Sequence, residues 1–213
     1  MKNIKIKKVA VVGSGIMGSR IACHLVNVGM DVLLLDISPA ELNEKERKLN
    51  KKISDKDVKN RIVNESLLNT LKAKPSSLFL KSDYDKIKTG NLDDDISKIS
   101  SVDWIIEAVV EKLSIKKTVY DLIEKHRNKN TIISTNTSGI PISQISEKRT
   151  SNFKEMFLGT HFFNPPRYLR LLEIIPGKDT KKQIIDFFIE FGSVVLGKET
   201  VLCKDTPAFI ANR

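Results

Sequence analysis

The sequence has few cysteines and no long apolar run, and both shortages restrict its class. Its two cysteines, Cys23 and Cys203, form no C-x-x-C spacing, so we predict neither a disulfide framework nor a metal site. Such sparse thiols fit a reducing cytoplasmic location. No run of about 18 apolar residues occurs, so we predict no membrane-spanning helix. The short apolar run after the first lysines breaks at glycines, and we interpret it as a buried strand rather than a signal peptide.

Acidic residues are too few to balance the lysines and arginines, and the formal net charge is +10. The lysines are scattered along the chain, which favours a solvated basic surface over a nucleic-acid site. Such a surface is compatible with small anionic ligands. Only three histidines are present, so few side chains can exchange protons near neutral pH. A length of 213 residues is sufficient for one good core and a small appendage.

The residues that are present begin with a clear supersecondary pattern around "VAVVGSGIMGS". An apolar strand over 9–12 is followed by a glycine turn and a helical pattern over about 16–28, which Gly29 ends. A second apolar strand over 32–35 reaches Asp36. These elements predict a βαβ unit, and their near-continuous aliphatic strands indicate a parallel sheet that is covered on both faces.

Strands and helices alternate along the rest of the chain. We predict two helices within 39–74, separated near 54–55, further helices over 114–128 and 179–192, and a helix start at 205–207. Predicted strands cover 77–82, 104–110, 131–136, 156–163, 170–175, 193–197 and 200–203, and 89–103 is predicted as a loop with one helical turn. The expected fold class is α/β, a doubly wound (Rossmann-like), mostly parallel sheet with a helical excursion after the second strand.

The glycine turn has the G-x-G-x-x-G spacing of a dinucleotide site, and its context is right because it follows a strand and opens a helix. Gly13 would permit the tight turn, Gly15 the close approach of a pyrophosphate, and Gly18 the packing of helix against strand. The helix N-terminus would supply N–H groups and a positive dipole. The predicted contacts of this turn with the cofactor are Gly13, Ser14, Gly15, Ile16, Met17 and Gly18.

Asp36 determines which dinucleotide is expected. Its carboxylate stands about 20 residues after the glycine turn, where it would accept both ribose hydroxyls and repel a 2′-phosphate. No arginine occurs in 37–39 to hold such a phosphate, so we predict NAD rather than NADP. The alternative is a glycine turn that only joins strand to helix.

A dehydrogenase needs a group that moves a proton while hydride moves, and histidine suits that role. His24 lies in the first helix and is interpreted as a packing residue, and His126 lies at a polar helix end. His161 ends a strand, where open α/β sheets hold their ligands. Glu173 lies in an aliphatic run and is costly to bury unless it is paired. The Asn-Pro-Pro connection at 164–166 would let the two strands pair, so that the carboxylate orients the imidazole. The alternatives are a core histidine and a glutamate that faces solvent.

Several segments together resemble the L-3-hydroxyacyl-CoA dehydrogenases of fatty-acid β-oxidation. They are "GSGIMGSRIA", "IIEAVVEKLSIKK", "STNTSG", "GTHFFNPPRYLRLLEIIPG" and "KDTPAFIANR". The resemblance covers nearly the whole chain, and its block around His161 is highly specific. It is strongest to the bacterial fused type, in which the dehydrogenase precedes an enoyl-CoA hydratase domain.

The resemblance implies NAD as the cofactor, an acyl-CoA as the partner substrate, and a set of site residues. His161 matches the catalytic base and Glu173 its partner, while Ser138 and Asn212 match residues that hold the substrate. Glu111, Lys116, Asn164 and Ser138 match positions near the cofactor. The family commonly has a second serine where Gly139 stands. The lysine-rich segment 39–74 occupies the place where the family meets CoA phosphates.

The resemblance also implies a division of the chain. We expect an NAD-binding domain over 1–204 and, at 205–213, the start of a helical domain that often carries subunit contacts, so a homo-oligomer is possible. This chain alone is expected to bind NAD but to turn over poorly, because closure over the substrate would be lost. Two alternatives stay open: a non-catalytic NAD-binding member of the same fold, and a dehydrogenase that uses a lysine on a small hydroxy acid.

Overall fold

The structure is a computed structural model, which describes residues 4–212. Eight strands form one sheet in the order β3-β2-β1-β4-β5-β6-β7-β8. The strands are β1 (Lys8–Val12), β2 (Asp31–Asp36), β3 (Ile87–Asn91), β4 (Trp104–Glu107), β5 (Ile132–Thr135), β6 (Phe157–Phe162), β7 (Leu171–Pro176) and β8 (Glu199–Leu202). All neighbours are parallel except β6 and β7, which are antiparallel. The predicted doubly wound, mostly parallel fold is confirmed.

Eight α-helices within the described residues cover the two faces of the sheet. They are α1 (Ile16–Asn27), α2 (Glu44–Lys48), α3 (Lys56–Lys59), α4 (Arg61–Lys72), α5 (Leu113–His126), α6 (Ile142–Ser146), α7 (Ser151–Glu155) and α8 (Lys182–Val194). Two 3₁₀ helices, Lys81–Lys86 and Ile96–Ser101, flank β3. Over residues 4–212, no helix has both the length and the apolarity that crossing a bilayer requires.

The central strands are apolar on both faces because helices cover both. In β1, Val9 and Val11 belong to one buried core, while Ala10 and Val12 belong to the other, and all four are 0% exposed. The strand order reverses between β1 and β4, which therefore open a crevice beyond their carboxyl ends. That crevice receives the glycine turn after β1.

Two predicted strands are wrong, and each has a packing reason. Residues 77–82 form no strand, since Phe79 and Leu80 are exposed. The strand is instead β3, which overlaps the start of the predicted loop. There Gly90 allows the Asp95 side chain to approach so closely that an added Cβ would lie 2.5 Å from its carboxylate. Residues 193–197 continue and close α8 rather than forming a strand.

Gly192 does not end α8, which continues to Val194. The glycine lets the helix approach β8, because an added Cβ would lie 2.4 Å from the Thr200 methyl group. The excursion after β2 contains three helices rather than the two that were predicted, with its break at 54–55 confirmed by the start of α3 at Lys56. Residues 205–212 are in turns instead of the predicted helix start, and residue 213 lies outside the described part.

Candidate active site

The glycine turn adopts the geometry that its spacing predicts. Gly13 has φ of +100°, and a Cβ there would lie 2.6 Å from the Ala108 carbonyl oxygen. At Gly18 a Cβ would lie 1.8 Å from the Gly13 carbonyl oxygen, so the helix can approach the turn only through a glycine. A Cβ at Gly15 would meet nothing within 4 Å. The conformational roles of Gly13 and Gly18 are therefore confirmed, and the side of Gly15 is open to a ligand.

Asp36 closes the same turn at the end of β2. Its Oδ2 accepts hydrogen bonds from the backbone N–H of Ser14 at 2.5 Å and from its hydroxyl at 2.6 Å. Its Oδ1 accepts one from the Ile37 N–H at 2.7 Å. Oδ1 keeps a further lone-pair direction, and the side chain is only half-buried, so the carboxylate can still receive a ribose hydroxyl.

His161 and Glu173 face each other across the antiparallel strands β6 and β7. The imidazole Nδ1 lies 2.7 Å from Glu173 Oε2, and the two residues are 5% and 1% exposed. An ionised carboxylate only accepts hydrogen bonds, so it selects the tautomer with hydrogen on Nδ1. His161 also lines the crevice, and among residues 4–212 its Nε2 has no hydrogen-bond partner. The predicted pairing is confirmed, and it leaves a free basic nitrogen at the ligand site.

Glu173 has a second set of partners that the sequence pattern did not reveal. Its Oε1 accepts the backbone N–H groups of Ile210 and Ala211 at 3.1 and 2.9 Å. Burial raises the pKa of Glu173, but the hydrogen bonds from His161 and from these amides outweigh it, and the net pKa lies below the usual value. The carboxylate is therefore charged near neutral pH, as stabilisation of an imidazolium requires.

Glu111 shapes the loop that contains Ser138. Its Oε1 accepts the Thr137 hydroxyl at 2.5 Å and the N–H groups of Ser138 and Gly139 at 2.9 and 3.1 Å. Burial raises the pKa of Glu111, yet the Thr137 hydroxyl and the Lys116 charge lower it to a net value below the usual one. The carboxylate thus holds the serine at the edge of the crevice.

Lys116 is fully buried and reaches the site only through its carboxylate partners. Its Nζ lies 2.7 Å from Glu107 Oε1 and 3.2 Å from Glu111 Oε2. Glu107 at the end of β4 is also 0% exposed and accepts the hydroxyls of Tyr120 and Thr135. Glu107 was not among the predicted site residues, although it lies within the apolar run "WIIEAVV" much as Glu173 lies within an aliphatic run. A buried carboxylate of this kind requires partners.

The remaining predicted residues take different positions. Asn164 lines the crevice, and its Oδ1 accepts a hydrogen bond from Arg20 Nη1 at 2.5 Å. Asn212 donates from Nδ2 to the Ser138 carbonyl at 3.2 Å. His24 is buried in the core, where burial foremost, and then the nearby Lys198 charge, lower its pKa to about 4. The interpretation of His24 as a packing residue is confirmed.

The crevice joins both parts of the site and fits a dinucleotide. It has a volume of about 450 Å³ and is lined by residues of the glycine turn, of the β4–α5 connection and of β6 with its following loop. Ile16 and Val110, which line it, are 69% and 61% exposed, so apolar side chains form part of its open wall. The α1 N-terminus has no side-chain cap, so its first N–H groups are available to phosphates.

Fold and site together define the class as a nicotinamide-dinucleotide-binding α/β domain, with a histidine–carboxylate pair beside the dinucleotide crevice. Residues 8–206 match the family described as "3-hydroxyacyl-CoA dehydrogenase, NAD binding domain". The chain belongs to this family, and its cofactor is NAD. The residues that would hold it are Gly15 with the α1 N-terminus, for the phosphates, and Asp36, for the ribose.

Similar proteins are longer than this chain. A 3-hydroxyacyl-CoA dehydrogenase of Bacillus subtilis is 50% identical over 208 residues, which cover 98% of this chain and 26% of that protein. A fatty acid oxidation complex trifunctional enzyme of Rickettsia felis is 41% identical over 98% of this chain and 27% of its own. Human mitochondrial hydroxyacyl-coenzyme A dehydrogenase is 32% identical over 100% of this chain and 63% of its own. The chain thus spans from about a quarter to less than two thirds of these relatives.

Solved structures have the same architecture. The 3-hydroxybutyryl-CoA dehydrogenase of Escherichia coli K12 superposes with a TM-score of 0.73 at 29% identity, covering 98% of this chain and 40% of that one. The (S)-3-hydroxybutyryl-CoA dehydrogenase of Ralstonia eutropha also gives 0.73, at 27% identity, and covers 98% and 67%.

Proposed function

We propose that this chain contributes to the NAD-dependent oxidation of L-3-hydroxyacyl-CoA to 3-oxoacyl-CoA, and to the reverse reduction, in fatty-acid β-oxidation. The observation that carries the proposal is the contact between His161 Nδ1 and Glu173 Oε2, 2.7 Å long, at the wall of the dinucleotide crevice. A buried carboxylate behind an imidazole whose other nitrogen is free is the arrangement of a general base. A plain nucleotide-binding domain has no need of it.

In the proposed reaction, His161 Nε2 takes the proton of the 3-hydroxyl group while C3 loses hydride. NAD supplies the acceptor of that hydride when it is bound. Glu173 stays ionised and stabilises the imidazolium that forms. Ser138 and Asn212, which are joined through the Ser138 carbonyl, are proposed to position the substrate oxygen. In the reverse direction the imidazolium returns its proton to the developing alkoxide.

The decisive test is NADH oxidation with acetoacetyl-CoA by the full-length gene product and its His161→Gln variant. We expect kcat of the variant to fall by a factor of about 10²–10⁴, the range for removal of a general base. His126→Gln, at the far end of α5, is the matched control and should keep the parental rate. A His161→Gln enzyme with nearly parental kcat would remove this residue from the mechanism.

The non-catalytic alternative predicts that the full-length gene product binds NADH but does not oxidise it with any 3-oxoacyl-CoA. The alternative of a lysine-dependent dehydrogenase is disfavoured by Lys116, which is 0% exposed and enclosed by two carboxylates. A structure with the same fold at 27% identity, TM-score 0.70, is a 5-dehydrogenase of a pyridine carboxylic acid. A panel of acyl-CoA and small hydroxy-acid substrates therefore belongs in the same assay.

The proposal includes two partners beyond the substrate. The trifunctional Rickettsia relatives support an enoyl-CoA hydratase domain in the full-length gene product, which hydration of crotonyl-CoA by that protein would test. A homo-oligomer is testable by light scattering. A cytoplasmic location is also part of the proposal, and the free, buried thiols of Cys23 and Cys203 are consistent with it.

A further inference from the structure

Arg20 lies on α1, two residues beyond the glycine motif, and reaches Asn164 at the crevice wall. Its Nη1 lies 2.5 Å from Asn164 Oδ1. A guanidinium carries only donors, so the atom that faces it must be the amide oxygen. The chemistry of this contact therefore fixes which end of the Asn164 amide faces Arg20.

The consequence concerns the other end of the amide. With its oxygen held by Arg20, Asn164 can present only its NH₂ group to whatever occupies the crevice. Among residues 4–212, Asn164 Nδ2 has no hydrogen-bond partner, although the residue lines the crevice together with Gly15 and His161. The free group is therefore a donor, and it suits an acceptor oxygen of a bound dinucleotide.

The backbone on which Asn164 stands is held independently of Arg20. Buried Lys198 donates from Nζ to the carbonyls of Pro166 and Leu169, the latter at 2.8 Å. Arg167 donates to the carbonyls of Ser76 and Leu78 at 2.7 and 2.8 Å. Removal of Arg20 would thus release the side-chain amide and leave the loop in place.

Arg20 also brings charge to the crevice. In the described part of the chain it forms no ion pair, whereas the buried Lys116 is neutralised by two carboxylates. An unpaired guanidinium polarises the amide that it contacts and makes the amide a stronger donor.

We propose that Arg20 is a positioning residue for NAD, which acts by fixing Asn164 as a hydrogen-bond donor toward the cofactor. The inference rests on the NAD site of the proposed function and does not require turnover. It predicts that Arg20 and Asn164 affect cofactor binding as one unit rather than as two separate contacts.

The test is a double-mutant cycle on the Kd of NADH, measured by fluorescence titration of the full-length gene product. We expect Arg20→Ala and Asn164→Ala each to raise Kd about tenfold, the effect of one hydrogen bond to a charged or polarised group. The double variant should be no weaker than Asn164→Ala alone. Multiplicative effects, or an unchanged Kd in Arg20→Ala, would overturn the proposal.

Two further variants, Asn164→Asp and Arg20→Gln, separate the donor role from a mere contact between the side chains. Asn164→Asp keeps and strengthens the contact with Arg20 but removes the NH₂ group, so NADH should bind at least as weakly as in Asn164→Ala. Arg20→Gln can still donate to the amide oxygen and should lose less affinity than Arg20→Ala. Tight NADH binding by Asn164→Asp would overturn the proposal.

A charge-matched control and a separate rate assay complete the design. Arg170→Ala removes an exposed arginine that pairs with Glu199 instead, and it should leave Kd unchanged. A parental protein that binds NADH but shows no acetoacetyl-CoA reduction would refute the proposed function alone. A catalytically competent protein with independent effects at the two positions would refute only the role of Arg20.

Discussion

Glu173→Gln is the most informative single change, because glutamine keeps the shape of the side chain and alters only its charge and donors. In the native site both carboxylate oxygens accept: Oε2 from His161, and Oε1 from the amides of Ile210 and Ala211. Glutamine has one oxygen and one NH₂ group, so it cannot satisfy both sides. The oxygen should face the two backbone amides, because that orientation makes two hydrogen bonds and avoids opposed donors.

The NH₂ group of the glutamine would then face His161 Nδ1. That nitrogen would have to accept a hydrogen bond, and the imidazole proton would move to Nε2. The nitrogen that should receive the substrate proton would already carry one. In this tautomer His161 cannot act as the base. That loss adds to the loss of the carboxylate charge.

The electrostatic part can be sized from the contact. Opposite charges whose centres lie about 4 Å apart interact by about 4 kcal/mol at an effective dielectric constant of about 20. At about 1.4 kcal/mol per factor of ten, the imidazolium loses stabilisation equal to about 10³ in rate. We therefore expect kcat to fall by about 10³ or more, with little change in the Kd of NADH, since Glu173 does not face the cofactor turn.

The assay is acetoacetyl-CoA-dependent NADH oxidation by the full-length gene product. Glu173→Asp is the matched control: its carboxylate still accepts on both sides, although it is one methylene shorter, so it should retain more activity than the glutamine variant. Thermal unfolding should show that both variants are folded. A glutamine variant within about tenfold of the parental rate, or one that is more active than the aspartate variant, would refute the tautomer reasoning.

Four further predictions concern stability and the cofactor. Burial lowers the pKa of His24 from 6.5 to about 4, so the free energy of unfolding should decrease by up to about 3 kcal/mol as pH falls from 6.5 to 4. His24→Phe should remove that part of the pH dependence in urea titrations, and an unchanged pH profile would contradict the prediction. Gly18→Ala should lower the free energy of unfolding by about 1–3 kcal/mol or more, since its Cβ would meet a backbone oxygen at 1.8 Å. Gly15→Ala should keep the parental melting temperature but bind NADH weakly. Equal melting temperatures for the two variants would be inconsistent with the packing described. Asp36→Ser should raise the affinity for NADPH relative to NADH, and an unchanged ratio of the two Kd values would show that this carboxylate does not select NAD. The 213-residue chain alone should bind NADH but oxidise it slowly with acetoacetyl-CoA, and rapid turnover would contradict the expectation.

The site residues that the sequence predicted well are those whose signal is local or unusually costly. The glycine turn follows from its spacing, because only glycine tolerates the φ of Gly13 and the close approach at Gly18. The pairing of His161 with Glu173 could be inferred because a carboxylate in an aliphatic strand needs a partner. The division at residue 204 stays a prediction, as do the direct roles of Ser138 and Asn212 toward substrate.

Edge strands and buried charge networks were predicted poorly. β3 reads "IKTGN" and pairs on one side only, so it lacks the apolar continuity of the central strands. In the more apolar 77–82, Leu78 is buried but Phe79 and Leu80 are exposed, and no strand forms. The valines that follow Gly192 have a strand-like pattern, and the glycine looks like the end of a helix. Gly192 instead lies inside α8, because the Thr200 methyl group leaves no room for a Cβ there. Local pattern cannot report such contacts, because they depend on which element packs alongside.

The sequence by itself determined the βαβ nucleotide unit, its aspartate and the candidate acid–base pair, since these depend on backbone conformations and burial costs encoded within short segments. Tertiary structure alone decided that the backbone of 210–211 satisfies the second oxygen of Glu173, that Lys116 pairs with Glu107 and Glu111, and that Arg20 contacts Asn164. Each of these contacts joins segments whose proximity follows from the strand order. Hydrogen-bond partners across such distances are selected by where the folded chain places donors and acceptors, and residue spacing does not record that placement.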